Sequence, residues 1–277
     1  VVHSWVYYAE SACTVYDIRM TPTALIIRTA GTNCDRELAH AFELAGSETR
    51  TVHLSRLIDE PESIAEFDLI GFPGGFSYGD DIAAGRILAN RIRHRLWGPL
   101  KDAAERGVPM IGVCNGFQVM AKMGLLPDPA AGKQTVTLAD NTCGRFIDKW
   151  VPMVVDPATV CIWTKGLSTF DLPIAHGEGR LVCADDAVLD QLKRNKQVAL
   201  RYAPGYNPNG STDDIAGICN PAGTILGLMP HPERFTDPTH HPTWTRQGDD
   251  WLTQTTAGLR FFHNAVEHVR QHAAQPA

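Results

Sequence analysis

The 277-residue sequence predicts an α/β fold: an open, mostly parallel sheet with helices on both faces and antiparallel extensions in the second half. Three observations lead there. In the first half, short apolar runs alternate with glycine-bearing turns and helix-like stretches, as parallel strands joined by crossover helices require. In the second half, short runs follow one another with turns and few helices between them, which suits antiparallel pairing. The composition, 44% hydrophobic and 20% charged, is that of a globular chain long enough to bury a core without disulfides or metal.

Strands are expected at 24–28, 49–54, 68–72 and 109–113, and helices at 34–46, 82–106 and 115–124. Asn33 is placed to cap the first helix, Asp35 favours its positive end, and Gly46 suits its C-terminus. Pro99 should kink or split the long 82–106 segment. Later runs at 151–155, 160–164, 172–176, 181–184, 197–202, 215–219 and 224–229 read as antiparallel strands and sheet extensions. Pro204 to Gly210 and residues 236–250 read as loops. A final helix over about 256–271 puts Leu259, Phe262, Val266 and Val269 on one face. Residues 1–19 fit this frame poorly and read either as an extension upstream of Met20 or as an additional strand. Residues 20–277 contain no internal repeat or low-complexity linker and read as a single domain.

Charge and cysteine usage exclude several function classes. Lys plus Arg is 25 and Asp plus Glu is 31, so the net charge of −6 argues against nucleic acid as a partner. No run is long and apolar enough to span a bilayer, and the apolar N-terminal stretch has no basic leader, so neither membrane nor signal peptide is expected. Seven scattered cysteines with no Cys-x-x-Cys pair support neither a zinc site nor a disulfide framework, and fit free thiols in the cytoplasm.

One cysteine stands apart. Gly112-Val113-Cys114-Asn115-Gly116 follows an apolar run and opens a helical stretch, and the small residues on either side permit a sharp strand-to-helix turn. That is the elbow geometry of nucleophilic serines, built here around a thiol at the positive end of a helix. The plainer reading is a small buried residue closing a strand. A nucleophile needs a base and a group to orient it, and Met229-Pro230-His231-Pro232-Glu233-Arg234 offers His231 and Glu233 two residues apart. Gly71 to Asp81 carries four glycines around a strand end, where backbone amides can face a developing oxyanion; Gly75 and Asn115 are the candidate donors. A phosphate-cradling loop is the rival reading, but the Walker Lys-Ser/Thr and the dinucleotide fingerprint are both missing.

With these residues in order, the sequence resembles the class I glutamine amidotransferases. Within them it resembles the glutaminase subunits of phosphoribosylformylglycinamidine synthase, through Pro73 to Asp80, Gly112 to Gln118 and Gly227 to Arg234. Asn33-Cys34-Asp35, Ala175 to Gly179 and Asn207 to Ser211 with Ile215 to Ile218 extend the likeness, which runs from about 23 to 235 and resumes in the last helix. The resemblance implies a class I amidotransferase-like fold and a Cys114–His231–Glu233 triad. It implies substrate and oxyanion contacts from Gly74, Gly75, Phe76, Asn115 and Gln118. It further implies L-glutamine as substrate, a glutamyl thioester, and ammonia passed to a large ATP-dependent synthetase subunit of purine biosynthesis, with a small dimeric accessory subunit in many bacteria. No cofactor is expected in this chain, since ATP and magnesium would belong to the synthetase.

Ser77, Tyr78, His176 and Glu178 are expected beside the pocket or at the synthetase interface; His176 and Glu178 also have the spacing of a second acid–base pair. Cys34 reads as a helix-start core residue. Ala83 stands where the family often carries Arg, with Arg86 a possible substitute. Thr236 to Gln254 is an insertion whose His240, His241 and Trp244 read as part of a solvated loop with no metal. The alternatives left by the residues are a class I glutaminase serving another synthetase and a non-catalytic scaffold subunit.

Overall fold

The computed structural model describes residues 21–273, so the expectations for residues 1–19 lie outside the described residues. Five strands, β1 (Thr23–Arg28), β2 (Glu48–His53), β3 (Leu69–Phe72), β4 (Met110–Val113) and β11 (Ile225–Leu228), form a parallel half. Four more, β6 (Ile147–Val155), β7 (Thr169–His176), β9 (Val198–Tyr202) and β10 (Ile215–Cys219), continue the same sheet antiparallel. The order among the described residues is β2-β1-β3-β4-β11-β10-β9-β6-β7, and β5 (Val136–Ala139) pairs with β8 (Arg180–Cys183) in a small separate sheet. This is the mixed, mostly parallel α/β sheet that the sequence predicts.

The parallel strands are short and wholly buried because helices cover both of their faces. Successive residues point to opposite sides. Gly71 faces Leu38 and Phe42 of α1 (Asp35–Leu44), while Phe72 faces Gly116 of α5 (Asn115–Met123). On the α1 side, Phe42 packs edge-to-face on Phe262 of the last helix, α7 (Ala257–Ala273), at 5.0 Å.

Several boundaries depart from the sequence reading, each for a local reason. The long helix divides into α3 (Arg86–Arg95) and α4 (Trp97–Glu105) at Leu96 rather than at Pro99, which lies in the first turn of α4 where its missing N–H costs nothing. The second strand ends at His53, whose ring accepts from the Ser55 amide and starts a short helix, α2 (Leu54–Asp59). Residues 160–164 are not a strand. Thr164 Oγ1 donates back to the Cys161 carbonyl, and the 3-10 turn Ile162–Thr164 buries Trp163 with its indole N–H on Thr224. The second half also holds a helix, α6 (Asp186–Arg194), capped by Asp185. Among its residues only Leu192 is buried, and Val188, Leu189 and Leu192 have helical spacing. The 224–229 run is no antiparallel extension on its β4 side: β11 pairs parallel with β4 and antiparallel with β10, joining the two halves. In α7 the buried face is Phe261, Phe262, Ala265 and Val266, with Leu259 and Val269 at its margins.

Candidate active site

Cys34, Gly74, Cys114 and His231 each follow the carboxyl end of a parallel strand, where open α/β sheets place ligands. Ala175, His176 and Glu178, from the end of β7 and the turn after it, face them across a cleft of about 410 Å³.

Cys114 sits between β4 and α5 with φ 51° and ψ −107°. That is a strained backbone for a residue with a Cβ. The strain is held from both sides. Its amide donates to Leu228 of β11 at 2.8 Å. Behind it, a Cβ on Gly116 would stand 1.9 Å from the Phe72 carbonyl oxygen, so α5 approaches β3 this closely only with glycine there. The turn leaves the thiol at the first turn of α5, whose opening N–H groups have no intrahelical acceptor. The sulfur lies 3.6 Å from the Ala175 carbonyl oxygen.

His231 follows β11, its amide anchored on the Pro173 carbonyl at 2.8 Å. Its Nδ1 lies 2.6 Å from Glu233 Oε1, and both side chains are buried. An ionised carboxylate only accepts, so Nδ1 carries the proton of the neutral ring and Nε2 is the basic nitrogen. Nε2 and Glu233 Oε2 have no hydrogen-bond partner among the described residues except the cysteine thiols beside the ring. Burial alone would lower the His231 pKa. The charge of Glu233 and the hydrogen bonds to Cys114, Cys34 and Glu233 outweigh it and hold the imidazole well above its ordinary value.

Cys34 is the residue whose place the sequence concealed. It does open α1 and is buried, but its sulfur faces the site. Its Sγ, a ring nitrogen of His231 and a Glu233 oxygen all lie within 4.8 Å of one another. Arg234 Nη2 donates to the sulfur at 3.1 Å, and the thiol donates to Asn33 Oδ1 at 3.2 Å, which is why Asn33 does not cap α1. Burial raises the Cys34 pKa, with the His231 hydrogen bond pulling the other way.

The glycine loop forms the floor of the cleft. Gly75 has φ 135° and is fixed by its neighbours, with the Cys34 amide on Gly74 O at 3.3 Å and the Phe76 amide on Gly31 O at 2.9 Å. Asn115 ties this loop to α5: its Oδ1 accepts from the Ser77 amide at 3.3 Å and its Nδ2 donates to Asp80 at 3.1 Å and Gln118 at 2.9 Å. Burial raises the Asp80 carboxyl pKa, opposed by hydrogen bonds from Gly85 and Asn115. Gln118 reaches across to the Glu178 carbonyl at 2.5 Å, and the Glu178 carboxylate accepts from the Ala84 amide at 3.4 Å. Tyr78 turns away from the cleft, its hydroxyl meeting Thr29 at 2.7 Å and Arg91. Phe76 is half exposed on the rim, 6.4 Å from Phe146.

His176 is buried in the far wall. Asn141 Oδ1 accepts from the Gly179 amide and faces His176 Nδ1 at 3.1 Å, which puts the ring proton on Nδ1 and leaves Nε2 as an unpaired acceptor. Burial and then the neighbouring charge of His231 lower its pKa to about 4. With a carbonyl accepting from Gln118 and a carboxylate accepting from the Ala84 amide, residues 176–178 wall the cleft, and the side chains of His176 and Glu178 do not bond each other. Asn141 itself gave no signal in sequence. The Asn207 to Ser211 stretch buttresses this wall: Asn207 Oδ1 accepts from three amides of its own loop, and Asn209 O accepts from the Thr142 amide. In the insertion, His240 is exposed, whereas His241 is buried. It lies 3.2 Å from Asp171 and packs on Trp150 and Trp251, so this part is not the solvated loop expected.

Residues 21–269 match the family model described as a CobB/CobQ-like glutamine amidotransferase domain. A Dehalococcoides mccartyi protein named phosphoribosylformylglycinamidine synthase subunit PurQ is 44% identical over 254 residues, covering 89% of this chain and 97% of the relative. A Methanococcus maripaludis protein of the same name is 40% identical over 92% of this chain and 100% of its own length. The chain belongs to the PurQ family of class I glutamine amidotransferases. A chain in the solved structure of PurLQS from Thermotoga maritima superposes with a TM-score of 0.69 at 34% identity, over 90% of this chain and 99% of that one. A glutamine amidotransferase from the same organism, 13% identical with a TM-score of 0.51, shares the fold. The buried His231–Glu233 pair, with the Cys114 and Cys34 thiols in the same cleft, agrees with the active site of a class I amidotransferase, and the chain is an enzyme of that family. No helix among the described residues is long and apolar enough to cross a membrane.

Proposed function

We propose that this chain is the glutaminase subunit of a phosphoribosylformylglycinamidine synthase, hydrolysing L-glutamine and passing ammonia to a separate synthetase subunit in purine biosynthesis. The observation that carries this is the Cys114 thiol on a strained elbow at a helix N-terminus, sharing one cleft with the buried, hydrogen-bonded His231–Glu233 pair. Cys114 is the nucleophile in this reading. His231 Nε2 takes the thiol proton, the sulfur adds to the side-chain amide carbon, and the amides of Gly75 and Asn115 receive the oxyanion. Collapse breaks the C–N bond as His231 returns the proton to the departing nitrogen, and water activated by His231 then cleaves the glutamyl thioester. Gly74, Phe76 and Gln118 line the substrate's path. ATP and magnesium serve the synthetase, a small accessory subunit completes the assembly, and the enzyme works in the cytoplasm with residues 20–277 as a single domain.

The rim supports a partner at the cleft mouth. Phe76, Ile82 and Phe146 are exposed there, and Tyr78, Asp80 and Ile82 hold positive φ angles in a single loop. A synthetase seated on that loop sets the Gly75 amide, so the isolated chain hydrolyses glutamine slowly. The test is ammonia release from L-glutamine with and without the synthetase and its nucleotide substrates. Wild type accelerates in the complex, and Cys114→Ala loses about 10,000-fold or more. Full activity in Cys114→Ala overturns the mechanism, and equal rates with and without the partner overturn the coupling.

A further inference from the structure

The cleft contains one thiol more than a Cys–His–Glu mechanism uses. Cys34 is buried and its sulfur lies within 4.8 Å of both a ring nitrogen of His231 and a carboxylate oxygen of Glu233. We propose that Cys34, His231 and Glu233 form an inhibitory site for zinc. The inhibition rests on the glutaminase reading above; the binding does not.

The donor set selects the metal. One thiolate, one imidazole and one carboxylate are ligands that zinc takes together, whereas magnesium and calcium require oxygen donors. Zinc bonds of about 2.0 to 2.3 Å put tetrahedral donors about 3.5 Å apart. A separation of no more than 4.8 Å thus closes with a small side-chain adjustment. The ring nitrogen that can share a metal with Glu233 is Nδ1, 2.6 Å from Oε1, and a second observation points the same way: Glu233 Oε2 is a buried lone pair with no hydrogen-bond partner among the described residues. Arg234, 3.1 Å from the sulfur, opposes a cation but favours the thiolate that zinc requires, and the Glu233 charge offsets it. The cleft leaves the fourth position to water. Binding releases the Cys34 thiol proton to solvent, and the Nδ1 proton of the neutral ring passes to Nε2. With zinc on Nδ1 the neutral ring carries its proton on Nε2, so His231 cannot act as the base and zinc switches off glutamine hydrolysis while leaving the fold intact.

The experiment titrates the metal-free chain with zinc, and in parallel with cobalt(II), whose thiolate complexes give a charge-transfer band. One equivalent binds wild type, and Cys114→Ala retains both the binding and the band. Cys34→Ser weakens binding at least about 10-fold, the lower limit of what losing even an outer partner costs at a zinc site. In the complex with the synthetase, the zinc concentration for half-inhibition rises by a similar factor in Cys34→Ser, each protein scaled to its own zinc-free rate. Should Cys34→Ser not fold, zinc protection of Cys34 from alkylation in wild type, read by peptide mapping, supplies the same answer. Unchanged binding in Cys34→Ser, loss of the cobalt band in Cys114→Ala, or alkylation of Cys34 at the same rate with zinc present each overturns the proposal.

Discussion

The two halves of the sheet contribute differently to the cleft. The parallel half supplies the reactive groups, since Cys34, Gly74, Cys114 and His231 all leave the carboxyl ends of its strands. The antiparallel half supplies a wall: the Ala175 carbonyl, His176 and the backbone of Glu178 face the thiol and the glycine loop. Tolerances differ accordingly. At the elbow a methyl group on Gly116 would meet backbone at 1.9 Å, whereas on Gly177 of the wall it would meet only the edge of Phe146 at 3.9 Å. The elbow glycine is locked by the backbone of a neighbouring strand, whereas on the wall Gly177 has room to spare and Gly179 is confined by the His176 side chain, 2.3 Å from its Cβ position.

The largest effect that can break this contrast is chemical. Glu233→Gln keeps the shape but removes the charge that orients His231, and glutamine turnover in the complex should fall about 1,000-fold or more. Undiminished turnover in Glu233→Gln would place the orienting group elsewhere. The next effect is on stability. Gly116→Ala should cost about 3 kcal/mol in urea unfolding, while Gly177→Ala should stay within about 0.5 kcal/mol. Equal costs would remove the distinction between the halves.

The smallest effect belongs to His176. Folded, its ring stays neutral down to a pKa of about 4, whereas in the unfolded chain it takes up a proton below about 6.5. The unfolded state thus binds more protons between those values, and stability falls as pH drops through that window, by about 3 kcal/mol at most. His176→Gln removes this contribution, so its urea midpoint should decline less steeply than that of wild type from pH 6.5 to pH 4. Parallel declines would show that the wall does not depend on a neutral histidine.

Much of this was legible in the sequence because the parallel half writes itself locally. An apolar run, a glycine and a helix-like stretch recur, and Cys114, His231 and Glu233 stand at strand ends that periodicity locates to within a residue or two. What stayed hidden depends on contacts distant in the chain. Cys34 faces His231 only because β1 and β3 are adjacent and Gly74 leaves room between them, with its Cβ position 3.0 Å from the His231 ring and 3.2 Å from the Cys34 sulfur. Asn141 reaches His176 across 35 residues, and His241 is buried only by aromatic rings from three separate segments. The parallel pairing of β11 with β4 could not be read either, since a strand of four buried residues carries no mark of its neighbour's direction.

The most direct measurement is to treat the chain, assembled with the synthetase, with a glutamine analogue bearing an electrophilic carbon in place of the side-chain amide, and to map the modified peptide by mass spectrometry. Two buried thiols share the cleft with the same histidine, each at the start of a helix, and only Cys114 stands on the strained strand-to-helix elbow. One adduct on Cys114, prevented by excess L-glutamine, is the predicted result. An adduct on Cys34 with Cys114 unmodified would contradict the account.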